Sequence, residues 1–206
     1  MRILAVSDVE DEAVTASVES KVGTIDLVIS CGDLDYEYLD YVGTALGVPL
    51  RAVQGNHDVP PENNDDPAIA VWWHGVDLHG RAVSVNGLLI AGLQGSPIYS
   101  SGPYQSGELD IWLAILRMAP SLIVNRLRRG RFLDVLVTHA PPRGIHEGTD
   151  RAHRGFGALR TFLRLFQPRY HLHGHTHVYD RRTQTTTQFG RTTVMNAYGA
   201  RTVDIP

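Results

Sequence analysis

Five short apolar runs, each stopping at side chains able to bind a metal, constrain this chain more than any other feature. Ile3–Val6 ends at Ser7-Asp8, Leu27–Cys31 at Gly32-Asp33, and Leu50–Val53 runs into Gly55-Asn56-His57-Asp58. Leu133–Val137 stops at Thr138-His139, and Tyr170–Leu172 at His173-Gly174-His175-Thr176-His177. Apolar runs this short, closed by Gly or by polar residues, read as buried strands. Helical spacing lies between them: Ala13, Val14, Val18 and Val22; then Tyr38, Leu39, Val42 and Leu46, ended by Gly47 and Pro49; then Gly157–Phe166, ended by Pro168. Strand–helix alternation predicts right-handed crossovers and parallel strands.

The middle of the chain has a different grammar. Residues 59–70 read as a polar loop, and Asn86-Gly87 between Val83–Val85 and Leu88–Leu93 is a strong hairpin signal. Residues 105–129 read as a helix interrupted near Pro120, with Arg126, Arg128, Arg129 and Arg131 at its basic, solvated end. Residues 183–187 and 191–197 read as a closing antiparallel pair. With no repeat, linker or low-complexity segment, residues 1–206 are expected to form a single domain.

Ligands of open α/β sheets bind beyond the carboxyl ends of the strands. If the five strand ends share one rim, carboxylates, an amide and several imidazoles converge there. Crowded carboxylates repel one another unless a cation neutralises them. Mixed imidazole, carboxylate and amide donors suit Mn, Fe or Zn. Glycine ahead of Asp33, Asn56 and His175 is expected to let the backbone turn sharply. A Gly-Asp dipeptide alone more often merely ends a strand, Asn56-His57-Asp58 alone is turn chemistry, and a lone His139 alone is a buried core histidine. The five in this order are the signal.

In that order the motifs resemble the calcineurin-like metallophosphoesterase superfamily, over nearly the whole chain. The resemblance implies an α/β fold, a four-layer αββα sandwich of two mixed sheets flanked by helices, with the metal site at the strand ends. It implies two divalent cations, with Mn ahead of Fe, Zn or Mg. The first would be held by Asp8, Asp33 and His177, the second by Asp33, Asn56, His139 and His175, with Asp33 bridging. Glu10 departs from the pattern, which has His there. Residues 8 and 10 of an extended chain face the same side, so Glu10 is carried as an oxygen ligand of the first cation, against a solvent-facing alternative. Such a pair of cations shares and acidifies a water, giving a hydroxide for attack on phosphorus. His57 resembles the imidazole that protonates the leaving oxygen. Asp58 would orient His57, with a turn or cap role as the alternative. Arg143 and Arg154 are candidate contacts to the substrate phosphate. His173 reads as structural near the site, His171 as core, and Trp72 and Trp73 as core or an oligomer contact.

The expected activity is hydrolysis of a small-molecule phosphoester, a phosphodiester ahead of a monoester. A nuclease and a scaffold that has lost catalysis are the alternatives. A net charge of -3 gives no electrostatic footprint for nucleic acid, no apolar run reaches membrane-spanning length, and oligomerisation is left open. The single cysteine, Cys31, excludes an intrachain disulfide, and a reducing cytoplasm is the expected setting.

Overall fold

The computed structural model describes residues 1–12, 14–16, 24–180 and 182–206. The helix expected at Ala13, Val14, Val18 and Val22 lies largely outside those residues.

Strands β1 (Arg2–Ser7), β2 (Leu27–Ser30) and β3 (Leu50–Ala52) run parallel in one sheet, and β12 (Gly199–Asp204) adds to β1 antiparallel. The second sheet has the order β10 (Thr186–Phe189), β11 (Thr192–Asn196), β9 (Tyr170–His173), β8 (Val135–Thr138), β5 (Leu88–Leu93), β4 (Arg81–Val85). Within it β5, β8, β9 and β11 are parallel, while the outer strands β4 and β10 are antiparallel to their neighbours. Both sheets are therefore mixed. A short parallel pair, β6 (Ser96–Pro97) with β7 (Gln105–Ser106), stands apart.

The two-residue period of a strand divides the apolar residues among three cores. Ile3 and Ala5 of β1 meet Val135 and Val137 of β8 between the sheets. Leu4 and Val6 face outward and pack with Leu39 and Val42 of α1 (Tyr36–Leu46) and Trp73 and Val76 of α2 (Pro67–Val76). On the other sheet, Leu89, Ala91 and Leu136 turn away from the centre to meet α3 (Glu108–Arg129) and α4 (Gly157–Phe166). Helix, sheet, sheet, helix is the expected sandwich.

Asn86 and Gly87 both take positive φ (50° and 86°) and close the β4–β5 hairpin as expected. Two local expectations change, and one open alternative closes. Residues 59–70 are not all loop, because α2 begins at Pro67, with Asp66 accepting from the Ala68 N–H at 2.8 Å. Helix α3 continues through Pro120; the buried row Ile111, Ile115, Met118 and Leu122 outweighs one lost backbone bond on the solvent side. Trp72 and Trp73 pack against Tyr36, with ring centroids 6.1 and 5.5 Å away, which places them with the core.

Candidate metal centre

Because β1, β2 and β3 are parallel, Asp8, Asp33 and Asn56 leave one edge of the first sheet; because β8 and β9 are parallel, His139 and His175 leave the matching edge of the second. Asp8, Asp33 and His175 all take left-handed backbone, φ 67°, 58° and 66°. Asp and His are enriched in that region, which still costs roughly 1 kcal/mol or more for a residue with a Cβ. The kink, within three residues of each strand's end, turns the side chain toward the seam between the sheets. Gly32 shares this conformation (φ 96°), but Gly55 and Gly174 do not. Their task is close approach: a Cβ on Gly55 would lie 2.0 Å from Asp33 Oδ1, and one on Gly174 would lie 1.8 Å from Ser7 Oγ and 2.7 Å from Asp8 Oδ2. That corrects the expected turn role at both positions.

Donor and acceptor logic fixes the imidazoles. His139 Nδ1–H donates to the Cys31 carbonyl at 2.8 Å, which leaves the Nε2 lone pair facing inward. Facing that nitrogen are Asn56 Oδ1 at 3.1 Å, His175 Nδ1 at 3.1 Å and Asp33 Oδ2 at 3.3 Å. His175 Nε2–H donates to the Ala152 carbonyl at 2.8 Å, so its Nδ1 is also a lone pair. Asn56 Nδ2 donates to the Tyr99 hydroxyl at 2.9 Å, which turns Oδ1 inward. Four acceptors thus confront one another inside the protein, and only a cation, a proton or a metal, can satisfy them. Burial alone would lower the His139 pKa; Asp33, then Asp8, outweigh it and push it up to about 9. The same partnership, against burial, holds Asp33 down to about 2. Burial, with His139 alongside, lowers His175 to about 3, so it stands ready as a neutral donor.

A second set adjoins the first. Asp8, Asp33 and His139 offer ligand atoms all within 4.8 Å of one another. The Asp8 side chain is fully covered, and burial raises its pKa. Its carboxylate accepts from the His175 backbone N–H at 3.0 and 3.1 Å and lies 3.8 Å from His177 Nε2. His177 Nδ1 is 2.8 Å from the Tyr179 hydroxyl. All six principal candidate ligands are therefore brought together. Carboxylate oxygens, an amide oxygen and imidazole lone pairs turned to one place fit a divalent cation.

A cleft of about 560 Å³ opens on Asp8, Asp33, His57 and Asp58, with exposed Glu10 on its wall. The His57 backbone N–H donates to Asp33 Oδ1 at 2.8 Å, and its exposed ring has no hydrogen-bond partner among the described residues. Asp58 works on backbone, in place of the expected orientation of His57. Its carboxylate accepts from the N–H groups of Gly55 (2.7 Å), Asp33 (3.2 Å) and Leu34 (3.1 Å), clasping the loops after β2 and β3; burial pushes it up to about 7. Arg143 and Arg154 are exposed and outside the lining of this cleft, and Arg143 Nε donates to the Gly155 carbonyl. In their loop it is His153 that meets the centre, its ring 5.1 Å from that of His175 and its Nδ1 2.9 Å from Asp150. Tyr99, the carbonyls of Cys31 and Ala152, and the place of His153 are not legible in the sequence; a backbone carbonyl has no signature there, and Tyr99 lies in a loop without periodicity.

Sandwich and donor set together define a metal-dependent phosphoesterase, a hydrolase. The chain belongs to the calcineurin-like phosphoesterase family, whose model matches residues 1–179. One solved structure, 16% identical, superposes with a TM-score of 0.67 over 96% of this chain and 90% of that one. Another, TT1561 of Thermus thermophilus, is 15% identical with a TM-score of 0.60, over 96% of this chain and 89% of that one. Both likenesses concern the fold alone. No curated protein sequence matches the chain.

Proposed function

We propose that the chain is a dinuclear enzyme that hydrolyses a small-molecule phosphodiester. The observation that carries this reading is the confrontation of Asp33, Asn56, His139 and His175 around one point, with Asp8 and His177 beside it. Asp33 would serve both positions, Glu10 would complete the outer one from the cleft wall, and a carboxylate there favours Mn over Zn. Bound cations would supply an acidified water and a positive clamp for phosphate oxygens. Asn56 and His139 arrive pre-oriented by Tyr99 and the Cys31 carbonyl. His57, exposed in the cleft, holds a proton for the leaving oxygen, typically worth about 10²–10⁴-fold. Asp58 keeps the two loops that carry Asp33 and Asn56 in register.

The charge of the cleft supports a diester of modest size. Its described lining includes Glu10, Asp35, Glu37 and Asp66 and neither Lys nor Arg. Such a wall repels a nucleic-acid polyanion, and it opposes a monoester of about −1.5 to −2 charge more than a singly charged diester. Residues 1–206 are inferred to be one domain because the inter-sheet core draws on both sheets. The lone buried Cys31 thiol accords with a reducing cytoplasm. Among the described residues no helix is long and apolar enough to cross a membrane.

The test is metal analysis of purified protein alongside hydrolysis of an aryl phosphodiester and an aryl phosphomonoester, with Mn and with chelator. Two equivalents of metal and diester turnover abolished by chelator are expected. Protein that binds no divalent cation and hydrolyses neither ester overturns the reading.

A further inference from the structure

Helix α3 carries two apolar stripes where a surface helix needs one. Ile111, Ala114, Ile115, Met118 and Leu122 pack into the core. Leu109, Leu113, Leu116, Pro120, Ile123 and Leu127 form the second row, at alternating steps of four and three residues. Its five Leu and Ile side chains are 52% to 79% exposed, and nothing among the described residues covers them. Four-three alternation is the seam of a coiled coil. From Leu109 to Leu127 it runs about 27 Å at the helical rise.

We propose that this face is a two-fold interface that takes a second copy of the chain, with the two α3 helices antiparallel. The row reads the same in both directions about Met118. Pairing α3 with an inverted copy sets Leu109 level with Leu127 of the second copy, Leu113 with Ile123, and Leu116 with Pro120. The charges obey the same symmetry. Glu108 and Asp110 occupy the first turn and Arg126, Arg128 and Arg129 the last. Antiparallel pairing sets the acidic first turn of each copy over the basic last turn of the other; parallel pairing would stack arginine on arginine. A two-fold interface must be self-complementary in this way. The exposed row offers on the order of 600 Å² per copy, so a pair would bury on the order of 1,200 Å², at the lower edge of specific interfaces. An anionic membrane would call for cations along the whole row, and the acidic first turn opposes that.

The full chain in solution, free of cross-linker, is expected to have about twice the 22.7 kDa mass of one copy by light scattering at tens of micromolar. Leu113→Glu with Leu116→Glu should give a monomer that keeps its phosphoester hydrolysis, so that loss of pairing is told apart from misfolding. Arg128→Glu alters only an exposed charge and should raise the dissociation constant severalfold at low salt. Mixing Leu109→Cys with Leu127→Cys should yield the disulfide between copies, while Leu109→Cys alone should not. A monomer at every concentration overturns the proposal, as does self-cross-linking of Leu109→Cys or sedimentation of a monomer with anionic vesicles.

Discussion

Cation binding should expel a proton from His139, and the structure sets how many and at what pH. In the metal-free protein the Nε2 proton is the charge that reconciles His139 with Asp33, Asn56 and His175, and the Asp33 and Asp8 carboxylates raise the imidazole pKa to about 9. A cation at that nitrogen must displace it. Asp58 also binds a proton above its ordinary range, near 7, so pH 8 separates the two. There His139 carries about 0.9 proton and Asp58 about 0.1, from their distances of about one pH unit on either side. Calorimetric titration with Mn at pH 8, in buffers of differing ionisation heat, should therefore show release of about one proton per protein. Between pH 7.5 and 8.5 the affinity should rise with a slope near one, close to tenfold or about 1.4 kcal/mol per pH unit. Cation binding without proton release at pH 8, or an affinity flat across this window, would refute the assignment of Nε2 as the inward donor.

Other consequences are as direct. His57→Ala should lower kcat at least about tenfold while metal content stays at its wild-type value; equal turnover removes the proton-donor role. Gly55→Ala and Gly174→Ala, which drive a Cβ into Asp33 and into Ser7 and Asp8, should cost roughly 1–3 kcal/mol and abolish cation binding. Gly75→Ala, with open space around its Cβ in α2, should instead stabilise by roughly 0.5–1 kcal/mol; chemical denaturation compares them. The chelated protein should lose stability as pH rises from 6.5 to 9, whereas below 6.5 the buried His175, lowered to about 3, acts in the opposite direction. The folded His139 pKa lies above 6.5, so its contribution is full below 6.5 and disappears toward about 9. Asp58, also raised, loses its contribution between about 4 and 7. Asp33, lowered, acts in the other direction and loses its share as pH falls toward about 2. Thermal melts in chelator between pH 4 and 9 check this; a melting temperature that climbs from pH 6.5 to 9 contradicts it.

The strands that carry the centre are legible because their apolar runs end where the chemistry begins. Asp8, Asp33, Asn56, His139 and His175 can be named from that pattern, and parallel pairing then brings them to one rim. Elements held by distant partners are not legible. β12 has one buried side chain, Val203, and exists because Arg2–Ser7 offers it an edge nearly the whole chain length away. Helix α2 is obscured by the Asn, Asp and Pro residues before it, although Asp66-Pro67 is a valid start signal. Asp58 misleads because its proximity in sequence to His57 suggests a side-chain partner, whereas the buried carboxylate sits on three backbone N–H groups.

Asp8, Asp33 and Asn56 belong to one sheet and His139 and His175 to the other, so a cation held among them is also a rivet across the sandwich. Its grip is full only while both halves are seated, which makes part of its binding energy energy of assembly. A small void opened between the layers, as by Val137→Ala, should therefore weaken Mn binding from a distance, without touching any atom that grips the ion.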